Sequence, residues 1–377
     1  MARNALLAIA AFLVATAAPA AAPADPAAAW QGIWEGRIGT LPVRACFVKR
    51  DWGAFGAYYY LSRLQLIPLE RGQDADGTFR EGVAPDAKSP RWTLESAGAN
   101  ALAGRWTANG RTLPIQLARV AGPAGDESPC ASLAFHAPRL AGIRIVARPA
   151  ARDGLGYTRL ILDHRGRFED TKVETFALAG GSGAVRRINE ALRAPLAGDP
   201  PAWLDCIRGA LETGSSEGEM DETIAPRLIT PRWLTAEDHE ESDCGGAHPN
   251  SSNAPLTFDR TTGAQVDLND WLNDKAIKRE NYGPGTHEAK TLRPEFRNVL
   301  LARWKPQESE CGDVVRQADF WTVALTRAGL VFAPELAHVD QGCGEDIAIS
   351  FARLRPYLSA EGMKQVDALQ AWVARGR

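Results

Sequence analysis

Long apolar runs are scarce in this chain, and so are the side chains that most often carry out chemistry. Past the first two dozen residues no stretch reaches the ~20 apolar residues of a membrane-spanning helix, so the body of the chain contains no candidate span. Neither sign of charge prevails: 43 Lys and Arg stand against 46 Asp and Glu. That balance leaves no electrostatic footprint for nucleic acid or for an anionic membrane. The six histidines are scattered, and none is spaced as HExxH or HxxxH, so no zinc site is indicated. The six cysteines contain no CxxC pair, which removes the usual redox centre and zinc knuckle. No motif asks for a cofactor.

What is present begins at the first residue. Met1-Ala2-Arg3-Asn4 is a short basic start, an apolar run follows from Ala5 through Ala18, and small residues at Ala18-Pro19-Ala20 and Ala22-Pro23-Ala24 offer cleavage sites. That order predicts a secretory signal peptide over 1–24. A retained N-terminal anchor is the alternative, and no cysteine follows the run to carry a lipid. Export predicts a periplasmic or secreted location, with no membrane insertion after cleavage. Cysteine usage agrees, because Cys46, Cys130, Cys206, Cys244, Cys311 and Cys343 all lie beyond the signal. An even set in an oxidising compartment reads as disulfides. Six cysteines allow about 15 connectivities; sequential pairing is expected, because it keeps each bridge inside one proposed domain.

Roughly 355 residues remain after the signal, which suggests two domains. The expected class is α+β: an antiparallel β-rich module over 25–133, then a mixed α+β domain over 134–377. In the first, Trp34, Val43, Phe47, Tyr58 and Leu66 fall in short strand-like segments broken by Gly, Pro and Asp. Thr107-Ala108-Asn109-Gly110 predicts a tight hairpin, since both Asn and Gly accept positive φ. A meander or small half-barrel fits. In the second, Ser182 and Ser359 are placed to cap helices, and Pro294 to open one running to about Trp304. Phe320–Leu325 and Leu330–Phe332 predict a hairpin around Ala328-Gly329, and Asp346–Phe351 a further strand. Strands and helices do not alternate regularly, which excludes a doubly wound sheet.

Catalytic signals are weak. Gly214-Ser215-Ser216-Glu217-Gly218 matches the G-x-S-x-G elbow, but that motif needs a strand before it and a helix after it; here it opens an acidic, Gly-rich stretch, and a loop is expected. His248, beside two glycines and a proline, reads as an exposed ligand or base, or as a turn residue whose ring bonds the backbone; spacing favours the second. His239 with Glu240, Glu241 and Asp243 could hold a divalent cation only if the loop converged. Trp233 and Trp304 could stack on sugar, or simply fill a core. No catalytic or metal-binding residue is therefore assigned. From Glu212 to Asp243 ten acidic residues face only Arg227 and Arg232, a run that is either a solvated loop or a recognition surface.

One run carries a resemblance. Cys244-Gly245-Gly246-Ala247-His248-Pro249-Asn250 is followed by Leu256-Thr257-Phe258-Asp259-Arg260-Thr261-Thr262-Gly263 and by Val266-Asp267-Leu268-Asn269-Asp270-Trp271-Leu272. Together with Ile188-Asn189 and with Gly329-Leu330-Val331-Phe332, it resembles the extracellular domain family shared by lysozyme-sensing anti-sigma factors of the RsiV type and by peptidoglycan deacetylases of the PdaC type. The match covers most of the second region and none of the first. The sigma-binding segment and the deacetylase domain of those proteins have no counterpart here, so neither activity is implied. What the resemblance implies is a non-catalytic cell-envelope binding fold whose partner is a cationic protein such as a muramidase, or peptidoglycan. Glu237, Asp238, Glu240, Glu241 and His248 are the candidate binding residues, and a hydrolase using Ser216 or His248 is the competing expectation.

Overall fold

The structure, a computed structural model, describes residues 29–71, 78–120, 128–214, 216–281, 288–304 and 311–375. The expected signal peptide, the Ser215 of the elbow motif and His287 lie outside them.

Eight consecutive strands open the chain: β1 (Gly32–Ile38), β2 (Leu41–Arg50), β3 (Gly53–Tyr60), β4 (Ile67–Arg71), β5 (Thr78–Glu81), β6 (Arg91–Ala97), β7 (Ala101–Ala108) and β8 (Arg111–Arg119). Each pairs antiparallel with the next, and β8 returns to β1. The half-barrel expected from sequence is therefore a closed barrel. Its seam runs Trp34 opposite Arg119 through Ile38 opposite Ile115. Gly36 is required there, because a Cβ at that position would collide with the Gln116 carbonyl. Arg119 clasps the seam by donating to the carbonyls of Ala29, Gln31 and Ala99 and lying 4.2 Å over the Trp34 ring. At the β7–β8 turn Asn109 and Gly110 both take positive φ, as that pair of residues predicts. Trp34, Phe47, Tyr58, Phe79 and Trp92 fill the interior, so the barrel is solid, as small eight-stranded barrels are. Glu81 accepts from the Tyr58 hydroxyl at 2.6 Å, the Trp106 indole at 2.7 Å and the Trp92 indole at 3.2 Å.

The second region continues with α1 (Leu133–Leu140), β9 (Arg144–Arg152), β10 (Leu155–Asp163), β11 (Thr171–Leu178), α2 (Gly183–Leu192), α3 (Ala202–Thr213), β12 (Glu219–Ile229), β13 (Trp233–Asp243) and β14 (Asn250–Asp259). The six strands form one sheet in the order β14-β13-β12-β11-β10-β9. Only β11 and β12 run parallel, and α2 and α3 connect them. The chain then forms β15 (Ile277–Asn281), β16 (Glu288–Leu292), α4 (Pro294–Leu301), α5 (Cys311–Gln317), β17 (Trp321–Leu325), β18 (Gly329–Pro334), β19 (Ile347–Ser350), α6 (Phe351–Leu354) and α7 (Ala360–Ala374). Ser182 and Ser359 cap α2 and α7 as expected. Helix α4 stops at Leu301, short of the expected Trp304, and Phe351 begins a helix instead of ending a strand. Among the described residues no helix is long and apolar enough to cross a membrane.

The cysteines pair in sequence order: Cys46–Cys130, Cys206–Cys244 and Cys311–Cys343, with no free thiol. The first ties the outer face of the barrel to the entry of α1, where Ile33, Val48, Ala57 and Tyr59 pack on Phe135 and on Leu211 of α3. Arg139, fully buried, binds this contact to the rest of the chain. It donates to the Leu64 carbonyl at 2.9 Å, forms an ion pair with Glu217, and lies 4.2 Å over Phe168. His136 packs beside it with no exposed surface, one ring nitrogen 3.0 Å from the Cys130 carbonyl and the other 3.5 Å from the Arg139 guanidinium. An Nε2–H tautomer satisfies both partners, and burial pushes the imidazole down to about 3.

Candidate functional site

Of the acidic run from Glu212 to Asp243, Glu212 ends α3 and Glu217 lies between α3 and β12, and the remainder is an antiparallel hairpin rather than a loop. Strand β12 pairs with β13 from Glu219–Asp243 to Ile229–Leu234, and β13 pairs with β14 along its whole length. Side chains on a strand alternate between two faces, and that alternation divides the candidate residues. Asp238 and Glu240 share one face with Met220, Glu222 and Ile224 of β12. Glu237, His239 and Glu241 point to the other. There Glu237 forms an ion pair with Arg227, and Glu241 lies 3.5 Å from the His239 ring.

The face carrying Asp238 and Glu240 is partly covered by α2, the 3-10 turn Ala194–Leu196 and α3, leaving a groove of about 620 Å³. Three features dock these helices, and each uses residues of the motifs noted in the sequence. Asn189 of α2 bonds both backbone groups of Leu178, at 2.8 and 3.0 Å, closing off the end of β11. The turn after β14 is held by Asp259, whose carboxylate accepts from the Thr261 amide at 2.8 Å and its hydroxyl at 2.5 Å. Burial alone would raise the Asp259 carboxyl, but these bonds and Arg232 hold it below its ordinary range. That turn presses Gly263 on α2, where a Cβ would lie 2.5 Å from the Ala184 carbonyl oxygen. Cys206–Cys244 fastens α3 to the end of β13, and the Asp243 carboxylate accepts from the Gly245 amide at 3.1 Å. The glycine bend is thus a brace for the groove.

Ala191, Ala194 and Pro195 wall the groove; its floor, the sheet face, carries Leu256 and Phe258 beside Glu222, Asp238 and Glu240. Glu222 lies directly opposite Glu240 across the β12–β13 pair and diagonal to Asp238, which faces Ile224. Like charges at such positions repel. Glu222 is 8% exposed and has no hydrogen bond among the described residues. Burial first, then the charges of Asp238 and Glu240, push its carboxyl up to about 7. Asp238 is raised by the same burial and by Glu240, and its Oδ1 is enclosed without a partner. Glu240 accepts from Ser242 at 2.9 Å. Among the described residues no basic side chain lines the groove.

His248 is exposed at the bend, its ring 5.9 Å from that of His338, which itself bonds the Pro249 carbonyl. The expected backbone-bonded turn histidine is therefore not found at His248; His338 makes that kind of bond instead. Ser216 lines a cleft of about 570 Å³ between the barrel and the second region, where no histidine among the described residues stands to serve as its base. Trp233 is buried, and Trp304 donates to Glu345 at 2.9 Å. Among the described residues no group of three or more His, Cys, Asp or Glu side chains converges as metal ligands do.

No family model matches the chain, and no curated protein matches it either. Two solved structures of the DUF3298 family are similar to it. One, from Bacteroides fragilis, is 12% identical with a TM-score of 0.38, over 61% of this chain and 96% of that one. The other, from Pseudomonas aeruginosa, is 14% identical with a TM-score of 0.35, over 58% of this chain and 95% of that one. Likeness of this degree carries no argument about activity, and the site is read from its own chemistry.

Sequence inspection did not single out Glu222, though a signal was present. Met220, Glu222 and Ile224 are in strand phase, so an acid occupies the middle of an otherwise apolar face.

Proposed function

We propose that this chain is an exported, non-catalytic binding protein of the cell envelope, working in an oxidising compartment and holding a cationic partner against the acidic groove. The observation that carries this reading is the acidic face itself: Glu222, 8% exposed as a residue and without a hydrogen bond among the described residues, stands beside Asp238, whose Oδ1 is enclosed without a partner, and Glu240, with no basic side chain among the described residues that line the groove. An arrangement that breaks the pairing rules of a sheet without compensation inside the chain calls for compensation from outside. Three disulfides and the absence of a free thiol suit an oxidising setting. The motif resemblance to lysozyme-sensing domains favours a muramidase of the lysozyme type over peptidoglycan as the partner.

Surface plasmon resonance of the protein against a panel of cationic and acidic muramidases, and against peptidoglycan fragments, tests it. The cationic enzymes should bind with an on-rate that drops steeply as salt rises. Asp238→Asn with Glu240→Gln should weaken that binding, whereas Glu241→Gln, on the other face, should not. Binding that is absent, or that is indifferent to both salt and the Asp238 and Glu240 changes, removes the proposal.

A further inference from the structure

We propose that the groove is a socket for one primary ammonium group on an aliphatic stem, contributed by a lysine side chain of the protein partner. This rests on the reading of the groove as a cation-binding surface and goes further by specifying what enters it. Three observations carry it.

First, the carboxyls come from two neighbouring strands. Directly opposite and diagonal side chains on such strands are separated by roughly 5 to 8 Å at Cβ, and they do not converge at metal-ligand distances. A bare divalent cation is therefore a poor fit. An ammonium, a compact charge with three rotatable donors, reaches several separated acceptors at once. A guanidinium prefers both oxygens of one carboxylate in its own plane.

Second, Leu256 and Phe258 extend the floor beside the carboxyls, and Ala194 and Pro195 face them from the wall. These apolar side chains match a methylene stem leading to the carboxyls. A volume of about 620 Å³ lies in the range of ordinary ligand pockets.

Third, the titratable groups facing the groove are all acidic. They are Glu222, Asp238, Glu240 and, at the rim, Asp205, which Arg208 already pairs at 3.1 Å. The three on the floor have no cation of their own. Burial and then the charges of Asp238 and Glu240 keep the Glu222 proton in place, and an arriving ammonium offsets both. The carboxylic acid ionises and its proton passes to the buffer, leaving a carboxylate beside the bound ammonium.

The test uses the oxidised protein and three small probes: N-acetyl-lysine amide, N-acetyl-arginine amide and N-acetyl-norleucine amide. Calorimetric titrations at pH 7 in buffers of different ionisation heat report affinity and proton release together. The lysine probe should bind at least about tenfold tighter than norleucine, a difference of ~1.4 kcal/mol, and tighter than arginine. It should release about half a proton per site, because a group titrating near 7 is half protonated at that pH. Glu222→Gln should abolish the release. Ala194→Trp, which fills the groove and leaves every carboxyl in place, should abolish binding, so the outcome does not hang on one variant folding well. Equal binding of the lysine and norleucine probes, no binding of either, or undiminished binding by Ala194→Trp overturns the socket.

The same protein is run in parallel against a cationic muramidase. Muramidase binding that depends on Asp238 and Glu240 but persists in Ala194→Trp leaves the functional reading standing and sinks the socket. Lysine-probe binding with proton release, but no muramidase binding, does the reverse.

Discussion

Glu222→Gln is the most informative single change, because it removes a charge while keeping shape. The magnitude follows from the carboxyl's surroundings. A glutamate whose protonation moves from 4.5 to about 7 favours its neutral form by about 3.4 kcal/mol more than a free side chain does. Water reaching the groove screens this, so about 1–2 kcal/mol is the expected cost of ionising Glu222 in the folded chain. The sign is fixed by proton counting. Between pH 4.5 and 7 the folded protein holds a proton that the unfolded chain has lost, so this residue's contribution falls as pH rises through that window and then levels off. The glutamine variant has no such slope. Urea unfolding of both proteins at pH 5 and pH 8 should show a variant gain at pH 8 that exceeds its gain at pH 5 by about 1–2 kcal/mol. Other titrating groups cancel in the difference. If the variant differs from the parent by the same amount at both pH values, or is the less stable at pH 8, Glu222 is not an uncompensated acid and the reading of the groove fails.

Three further outcomes are expected. His136 is buried and titrates near 3, so the unfolded chain takes up a proton below about 6.5 that the folded one refuses; stability should drop by up to about 4–5 kcal/mol by pH 3, and a His136→Gln variant should lack that slope in acid unfolding curves. Arg139→Met leaves Glu217 and the Leu64 and Arg167 carbonyls without their donor and should cost about 3–5 kcal/mol by urea titration; a loss below 1 kcal/mol would contradict its role in joining barrel and second region. Replacing Cys206 and Cys244 by serine opens a 38-residue separation and should cost about 4 kcal/mol on the chain-entropy account. It should also weaken ligand binding, because α3 forms a wall of the groove.

The helix caps and the bridges Cys206–Cys244 and Cys311–Cys343 were legible in the sequence because they are local: a serine at the right offset, or neighbouring thiols 38 and 32 residues apart; Cys46–Cys130 pairs as expected but ties the barrel to the segment before α1. Barrel closure was not legible. Nothing near Trp34 announces that it will lie opposite Arg119, and the local turn signals are those of any meander. The acidic strand misled for a different reason. Glu237-Asp238-His239-Glu240-Glu241 has no apolar alternation, and its strand conformation is decided by pairing with β12 and β14. Had the segment been read with period two, Asp238 and Glu240 would have separated from Glu237 and Glu241 at once. Glu222 was the clearer clue, because its strand neighbours Met220 and Ile224 point the same way into the core.

Cys46 lies in the second strand of the barrel and Cys130 just before α1, so this bridge runs alongside the peptide connection between the two halves. Hydrolysis of any single bond between Arg119 and Cys130 gives two polypeptides that still travel as one molecule. Shedding the barrel takes two separate chemical events, a cut and a reduction, in either order. In surroundings that hold thiols oxidised, a protease acting alone leaves the assembly intact. A reductant acting alone leaves the backbone continuous. Release therefore behaves as a logical AND, with one input read by peptide chemistry and the other by sulfur.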